Sequence, residues 1–234
     1  MLHLILLECA LELVPSEISS MKQIQKHASR KGKKPSEMLL DQTYHGQSMT
    51  KLSGHERRGR PDITYLSLMS VLETPLCKEG LLKVYLHLQD GRIVDVRSDV
   101  RLPRNYDRFV GLMEQLLSTG RVPPKGDSLL QMIDRSLNEL VLDIKAESTI
   151  VAIKGGQKTT IEELTSFLPA DSSVPVIVGV GAFPHGHISE STLDLFEHKL
   201  ALDKDIMMTW HVCAELVWTY SMTVGVVKTR YSTT

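Results

Sequence analysis

Arginine, glycine and histidine fall in three short stretches of this chain at spacings that could do chemistry. Arg57, Arg58 and Arg60 lie in R-R-G-R-P-D, and Arg101, Arg104 and Arg108 in R-L-P-R-N-Y-D-R. The second set is spaced by three and four residues, so a helix through it would put all three on one face. Pro61 restricts Arg60 to extended backbone. A planar guanidinium fork suits phosphate better than a lysine point charge does. The competing reading pairs these arginines with Asp62, Asp99 and Asp107 as surface ion pairs worth little. Proline on both sides, Pro61 and Pro103, argues for fixed cations and hence for anion binding.

The third stretch, residues 174–188, reads V-P-V-I-V-G-V-G-A-F-P-H-G-H-I. Its β-branched run is that of a strand buried on both faces. It runs into Gly179, Gly181, Pro184 and Gly186, residues of turns and loops. In open α/β sheets ligands bind where the carboxyl end of a strand gives way to a loop, so a small-molecule site is placed here. Glycine spacing alone leaves an ordinary strand-to-helix turn equally open. The spacing is not the dinucleotide fingerprint, and no phosphate-cradling G-x-x-x-x-G-K-[ST] run exists in the chain. His185 and His187 offer only two metal ligands, and His198 or His211 would have to complete a site, so they are read as hydrogen-bonding residues and no metal is assigned. Ser189, Ser191 and Asp194 lack a nucleophile-elbow context. Met207, Met208 and Trp210 read as core packing or as one wall of an apolar cofactor pocket.

The elements that must position these residues follow from pattern. At 234 residues, 42% hydrophobic and 24% charged, the chain is long enough for one large domain, taken as residues 1–234. A net charge of −1 gives no global pull toward nucleic acid or membrane, so any polyanion site must be local. Cys9, Cys77 and Cys213 form no C-x-x-C pair, which suggests reduced thiols and a cytoplasmic protein. The apolar run Leu2–Leu13 carries Glu8 and Glu12 and is too short to span a membrane. Leu2–Leu7 is predicted as a strand. A helix with Ile18, Met21 and Ile24 inward follows and ends in the basic stretch Lys22–Lys34. Gln42–Gly59 is predicted as an exposed loop. Asp62 should cap a helix Ile63–Leu72 with Leu66, Met69 and Leu72 inward. Asp90-Gly91 marks a hairpin, read as an insertion over roughly residues 76–103 beside a mostly parallel sheet. Asn105 caps the next helix, and Ser128–Leu142 reads as another. Thr149–Ile153 is a strand ending at Gly155-Gly156, and Thr160 and Glu163 form a capping box. Ser189–Leu200 and Thr209–Tyr220 read as helices. The alternation of strand and helix in this half implies a parallel sheet.

Three of these runs, R-R-G-R-P-D-I-T, R-L-P-R-N-Y-D-R-F-V-G-L-M-E-Q-L-L and V-G-A-F-P-H-G, together resemble the pseudouridine-N1-specific methyltransferases of small-subunit ribosomal RNA. These are ribosome biogenesis factors of the SPOUT, or α/β-knot, class. The resemblance implies a mostly parallel sheet flanked by helices, a C-terminal trefoil knot, a homodimer and S-adenosylmethionine as cofactor. It places the cofactor against Gly181, Gly186, His187 and Ile188. The loop Lys204, Asp205, Ile206, Met207, Met208 and Thr209 is a second wall, and Gly155 near Lys154 a third. It assigns Arg60, Arg101, Arg104 and Arg108 to the RNA and Asp62 to holding Arg60, and it names no catalytic base. The run D-I-M-M-T departs from the proline-leucine-serine type of loop expected there. An rRNA-binding assembly factor with little or no methyl transfer is the alternative. The Lys22–Lys34 stretch is read as a solvated helix end, as an extension of the RNA footprint or as a contact for a ribosomal protein.

Overall fold

The computed structural model describes residues 1–232. Strand β1 (Leu2–Cys9) is buried along its whole length. Helices α1 (Ser16–Ser19) and α2 (Lys22–Lys31) follow, and Gly32 ends α2 in the left-handed conformation at φ 63°. Asp41 caps α3 (Gln42–Met49), and Pro61 opens α4 (Pro61–Val71), with α5 (Pro75–Lys78) behind it. Strands β2 (Leu82–Leu88) and β3 (Ile93–Val96) turn on Asp90-Gly91, where Gly91 takes φ 87°. Asn105 caps α6 (Tyr106–Thr119), which leads to β4 (Arg121–Val122) and β5 (Leu130–Ile133). Capping boxes open α7 (Leu137–Ile144) and α8 (Ile161–Leu164), on either side of β6 (Ser148–Lys158). The chain closes with β7 (Val176–Gly181), α9 (Glu190–Leu193), β8 (His198–Ala201), α10 (Thr209–Thr223) and α11 (Val226–Ser232).

All eight strands form one sheet in the order β4-β5-β3-β2-β1-β7-β6-β8. The five from β2 to β8 are parallel, and β3, β5 and β4 continue it antiparallel. β1 and β7 lie at the centre, covered on both faces, which is why each reads as a predominantly apolar run, broken in β1 only by His3 and Glu8. One face packs Leu4, Leu6, Val178, Phe109 and Tyr220; the other packs Ile5, Leu7, Ile177 and Phe196. No helix among the described residues is long and apolar enough to cross a membrane.

Six expectations are corrected. The segment predicted as an exposed loop contains α3, with His45, Ser48 and Met49 buried. Its polar residues are buried in pairs: Ser48 donates to Gln23, and His45 Nε2 meets His27 Nδ1 at 2.8 Å. On α4 the inward residues are Ile63, Thr64, Ser67, Leu68 and Val71, while Leu66 is exposed. Arg60 holds the N-cap position of α4, so Asp62 lies inside the first turn. The hairpin is not an insertion beside the sheet, because β2 pairs in parallel register with β1 from Leu2↔Leu82 to Leu6↔Leu86. Ser128–Leu142 splits into β5 and α7, because Ser136 restarts the chain as a cap. Ser189–Leu200 is a single turn of helix followed by β8.

The buried histidines make stability depend on acid. His45 is fully buried, and burial followed by the neighbouring His27 lowers its pKa to about 4. Burial likewise lowers His3 to about 4, and His27 is shifted down as well. A folded pKa below the unfolded value of about 6.5 means that the unfolded chain takes up the proton first. Stability is therefore full above about pH 6.5 and falls as pH drops toward about 4, by up to about 3 kcal/mol for each of His3 and His45. Urea midpoints measured across this window should fall, and His45→Gln should flatten part of that slope.

Candidate functional site

A cavity of about 300 Å³ opens at the carboxyl ends of β6 and β7. Gly181, Gly186, His187 and Ile188 form one wall; Asp205, Ile206, Met207 and Thr209 form the second, and Lys154 stands on the third. The structure thus gathers most of the predicted cofactor residues. Gly155, Lys204 and Met208 are not part of the lining. Gly155 instead supplies φ 84° within β6, and Met208 precedes α10 with more than half its surface exposed. Gly186 takes φ 96°, a conformation that side-chain-bearing residues rarely adopt. A Cβ on Gly181 would lie 3.1 Å from the Phe183 ring. Thr209 Oγ1 donates to the Gly181 carbonyl at 2.8 Å and pins the second wall to the first. Val180, Leu193 and Val212 make the interior largely apolar, while Asp203 and Asp205 place carboxylates at its edge. Asp203 was not singled out in the sequence. Such a cavity suits a ligand with an apolar body, hydroxyl groups and positive charge.

The arginines are fixed in two ways. Arg60 Nε and Nη2 donate to the two carboxylate oxygens of Asp62 at 2.8 and 2.7 Å. These hydrogen bonds raise the Arg60 pKa and hold the side chain in one orientation. Arg101, Arg104 and Arg108 are exposed and have no carboxylate partner among the described residues. Asp99 is taken by Arg97 at 2.5 Å and Asp107 by Lys31 at 3.6 Å, so surface pairing does not account for these three. They do not share a helix face: only Arg108 lies within α6, and Arg101 and Arg104 precede it. Their segment is anchored by the Tyr65 hydroxyl, which donates to the Arg104 carbonyl at 2.5 Å, and by packing of Tyr65 and Tyr106 around Phe109. Tyr106 in turn donates to Asp41 at 2.8 Å, so the Arg60 cleft and the start of α6 are one unit. In the basic stretch, Lys31 and Lys33 are paired with Asp107 and Glu114, whereas Lys22, Lys26 and Arg30 face solvent. No three metal-ligating side chains come together among the described residues.

Sequence reasoning missed a cluster behind the glycine loop. Glu8, 7% exposed and at φ 52°, accepts from Ser189 N and Oγ at 2.9 and 2.6 Å and pairs with Arg57. Burial alone would raise this carboxyl; the Ser189 hydrogen bonds and the Arg57 charge outweigh it and hold it below its ordinary value. Arg58 makes a two-pronged pair with Glu12 at 2.7 and 2.5 Å. The signal was present: two carboxylates in an otherwise apolar first run must find cations when buried.

The arrangement has relatives. "Ribosomal RNA small subunit methyltransferase Nep1" of Staphylothermus marinus is 39% identical over 217 residues, covering 92% of this chain and 93% of that protein. The protein of the same name from Thermococcus sibiricus is 41% identical over 221 residues, with 94% and 97% covered. The crystal structure of Archaeoglobus fulgidus Nep1 bound to S-adenosylhomocysteine superposes with a TM-score of 0.84 at 32% identity, covering 95% of this chain and 98% of that one. The sequence profile described as EMG1/NEP1 methyltransferase matches residues 4–221, and with that match the chain belongs to the EMG1/NEP1 methyltransferase family.

Proposed function

We propose that this chain transfers a methyl group from S-adenosylmethionine to N1 of a pseudouridine in small-subunit ribosomal RNA, as a step of small-subunit biogenesis. The observation that carries the reading is a cavity walled by glycine backbone at the strand ends, in a chain that also presents three exposed arginines with no carboxylate partner among the described residues. The residues present fit the cofactor: Gly186 at φ 96° and the close-packed Gly181 keep side chains out of the wall, and Asp203 and Asp205 offer carboxylates. When bound, S-adenosylmethionine supplies an electrophilic methyl on a good leaving group.

The work left to the protein is placement. Arg60, Arg101, Arg104 and Arg108 grip the RNA backbone, and Asp62 keeps Arg60 aimed. Holding two reactants in line is worth roughly 7–11 kcal/mol of barrier. The target base must leave its stack to reach the cavity. Asp62 is committed to Arg60 by two hydrogen bonds, so it is not assigned as a base. We assign the N1 proton to solvent.

The same reading includes a homodimer, a knotted C-terminal segment and a cytoplasmic location. Trp218 and Met222, four residues apart on α10 and 46% and 73% exposed, offer a face to a second copy. The chain leaves β8 at the sheet edge and returns in α10 to pack on α4 and β7, a path that supports threading. Three free, buried cysteines agree with a reducing compartment. An assembly factor with little methyl transfer is the second reading, favoured by Ile206, which is 77% exposed in the altered loop. Radiolabelled S-adenosylmethionine with a hairpin RNA separates them. Transfer to a pseudouridine-containing loop and none to its uridine counterpart is expected. Tight RNA binding without transfer would establish the assembly role instead.

A further inference from the structure

We propose that Arg57 is a positioning residue that couples the RNA-gripping segment to the cofactor loop. The inference rests on the reading above. Arg57 does not line the cavity; its backbone and side chain border a separate cleft with Ser53, Gly54 and Gln89. It reaches the cavity wall from behind. Nη1 donates to the His187 carbonyl, Nη2 pairs with Glu8, and the guanidinium carbon stands 4.0 Å over the centre of the Phe183 ring. The position a Cβ would take on Gly186 is 3.1 Å from Nη1. One side chain therefore touches Phe183, Gly186 and His187, three residues of the cavity lining.

The other end of the connection is the backbone of residues 57–60. Arg57 lies three residues before Arg60, and each step between them is fastened. Gln89 Nε2 donates to the Arg57 carbonyl at 2.7 Å, and Arg58 is held by Glu12. Gly59, at φ 64°, accepts from Gln42 N at 2.8 Å, and Arg60 N donates to the Ala10 carbonyl at 3.3 Å. Ala10 N donates in turn to Ala182 at 3.0 Å, at the start of the glycine loop. Both working segments thus hang from the irregular end of β1, where Glu8 adopts φ 52° and pairing with β2 shifts register between Leu6 and Cys9. A displacement of Arg60 on gripping RNA reaches the cofactor wall through the hydrogen-bonded backbone of residues 57–60 and the ion pairs of Arg57 and Arg58. Coupling of this kind is reciprocal between the two ligands.

Calorimetry on the full-length protein tests it. S-adenosylhomocysteine is titrated with and without saturating hairpin RNA that carries a pseudouridine in its loop. Wild type should show an affinity change of about fivefold or more between the two conditions, within the usual range for coupled sites. In Arg57→Gln that factor should fall below twofold, while RNA affinity without cofactor changes less than twofold. Arg57→Lys keeps the charge but loses the fork, and should restore only part of the coupling. Should Arg57→Gln fail to fold, Glu8→Gln and Phe183→Leu, which each remove one of its contacts, must lower the factor instead. Coupling absent in wild type, or unchanged in these variants, overturns the inference while leaving the methyltransferase reading intact. If wild type binds neither probe, that reading fails and the inference falls with it.

Discussion

Alanine at Arg101, Arg104 and Arg108 together is expected to weaken RNA binding by about a thousandfold, taking each phosphate contact as worth about tenfold. These side chains are exposed and have no carboxylate partner among the described residues, so their charge is available to phosphate. For single-stranded RNA each neutralised phosphate contributes about 0.7 to the slope of log affinity against log salt, so the triple variant should flatten that slope by about 2. Lys31 and Lys33 provide the contrast. They are already paired with Asp107 and Glu114, and neutralising them should move the slope far less. Affinity for S-adenosylhomocysteine, measured without RNA, should stay within about twofold, because none of the three arginines lines the cavity. Parallel losses of both ligands would show that one site, and not two, had been disturbed.

Gly156→Ala should lower the melting temperature by about 6–12 °C and weaken cofactor binding with it. The new Cβ would meet the Lys199 carbonyl oxygen at 2.5 Å, its carbon at 2.7 Å and the Leu200 carbonyl carbon at 2.9 Å. All three are backbone atoms of β8, so no side chain can rotate aside, and one strand must shift. Overpacking of this kind costs about 3 kcal/mol, and each kcal/mol moves the midpoint of a domain this size by about 2–4 °C. The effect should reach the ligand because β8 leads straight to Leu202 and Asp203 in the cavity wall. Gly111→Ala is the control. Gly111 lies within α6 with open space where the Cβ would go, and alanine favours a helix by up to about 1 kcal/mol. Calorimetric melts that leave Gly156→Ala within a degree of wild type would contradict the packing described for β6 and β8.

Local chemistry was legible where one residue type settles one question. Asn105 and the Thr160–Glu163 pair cap as expected, Asp90-Gly91 turns a hairpin, and the valine run of β7 is central because both its faces are covered. Partners chosen across the fold were not legible. The α3 helix escaped because it buries His45 and Ser48 against His27 and Gln23 from α2, and hydropathy records such pairs as surface. On α4 the inward Thr64 and Ser67 read as polar, yet small side chains suit the face that packs against α10. The three arginines of the R-R-G-R run look alike in sequence. Their fates differ because Glu8 takes Arg57, Glu12 takes Arg58 and Asp62 takes Arg60. In the cavity, the glycine loop and the loop before α10 come together, but which of Lys204, Asp205 and Met208 borders it depends on backbone path, and of these three Asp205 does.

The central position of β1 has a consequence for how the protein is made. Residues 2–7 pair with residues 82–86 on one side and with residues 176–181 on the other. Strand β1 therefore keeps one hydrogen-bonding edge open until residues 176–181, more than 160 residues further along the chain, are in place. Long-range parallel pairing is slow to form and leaves such an edge available to other chains.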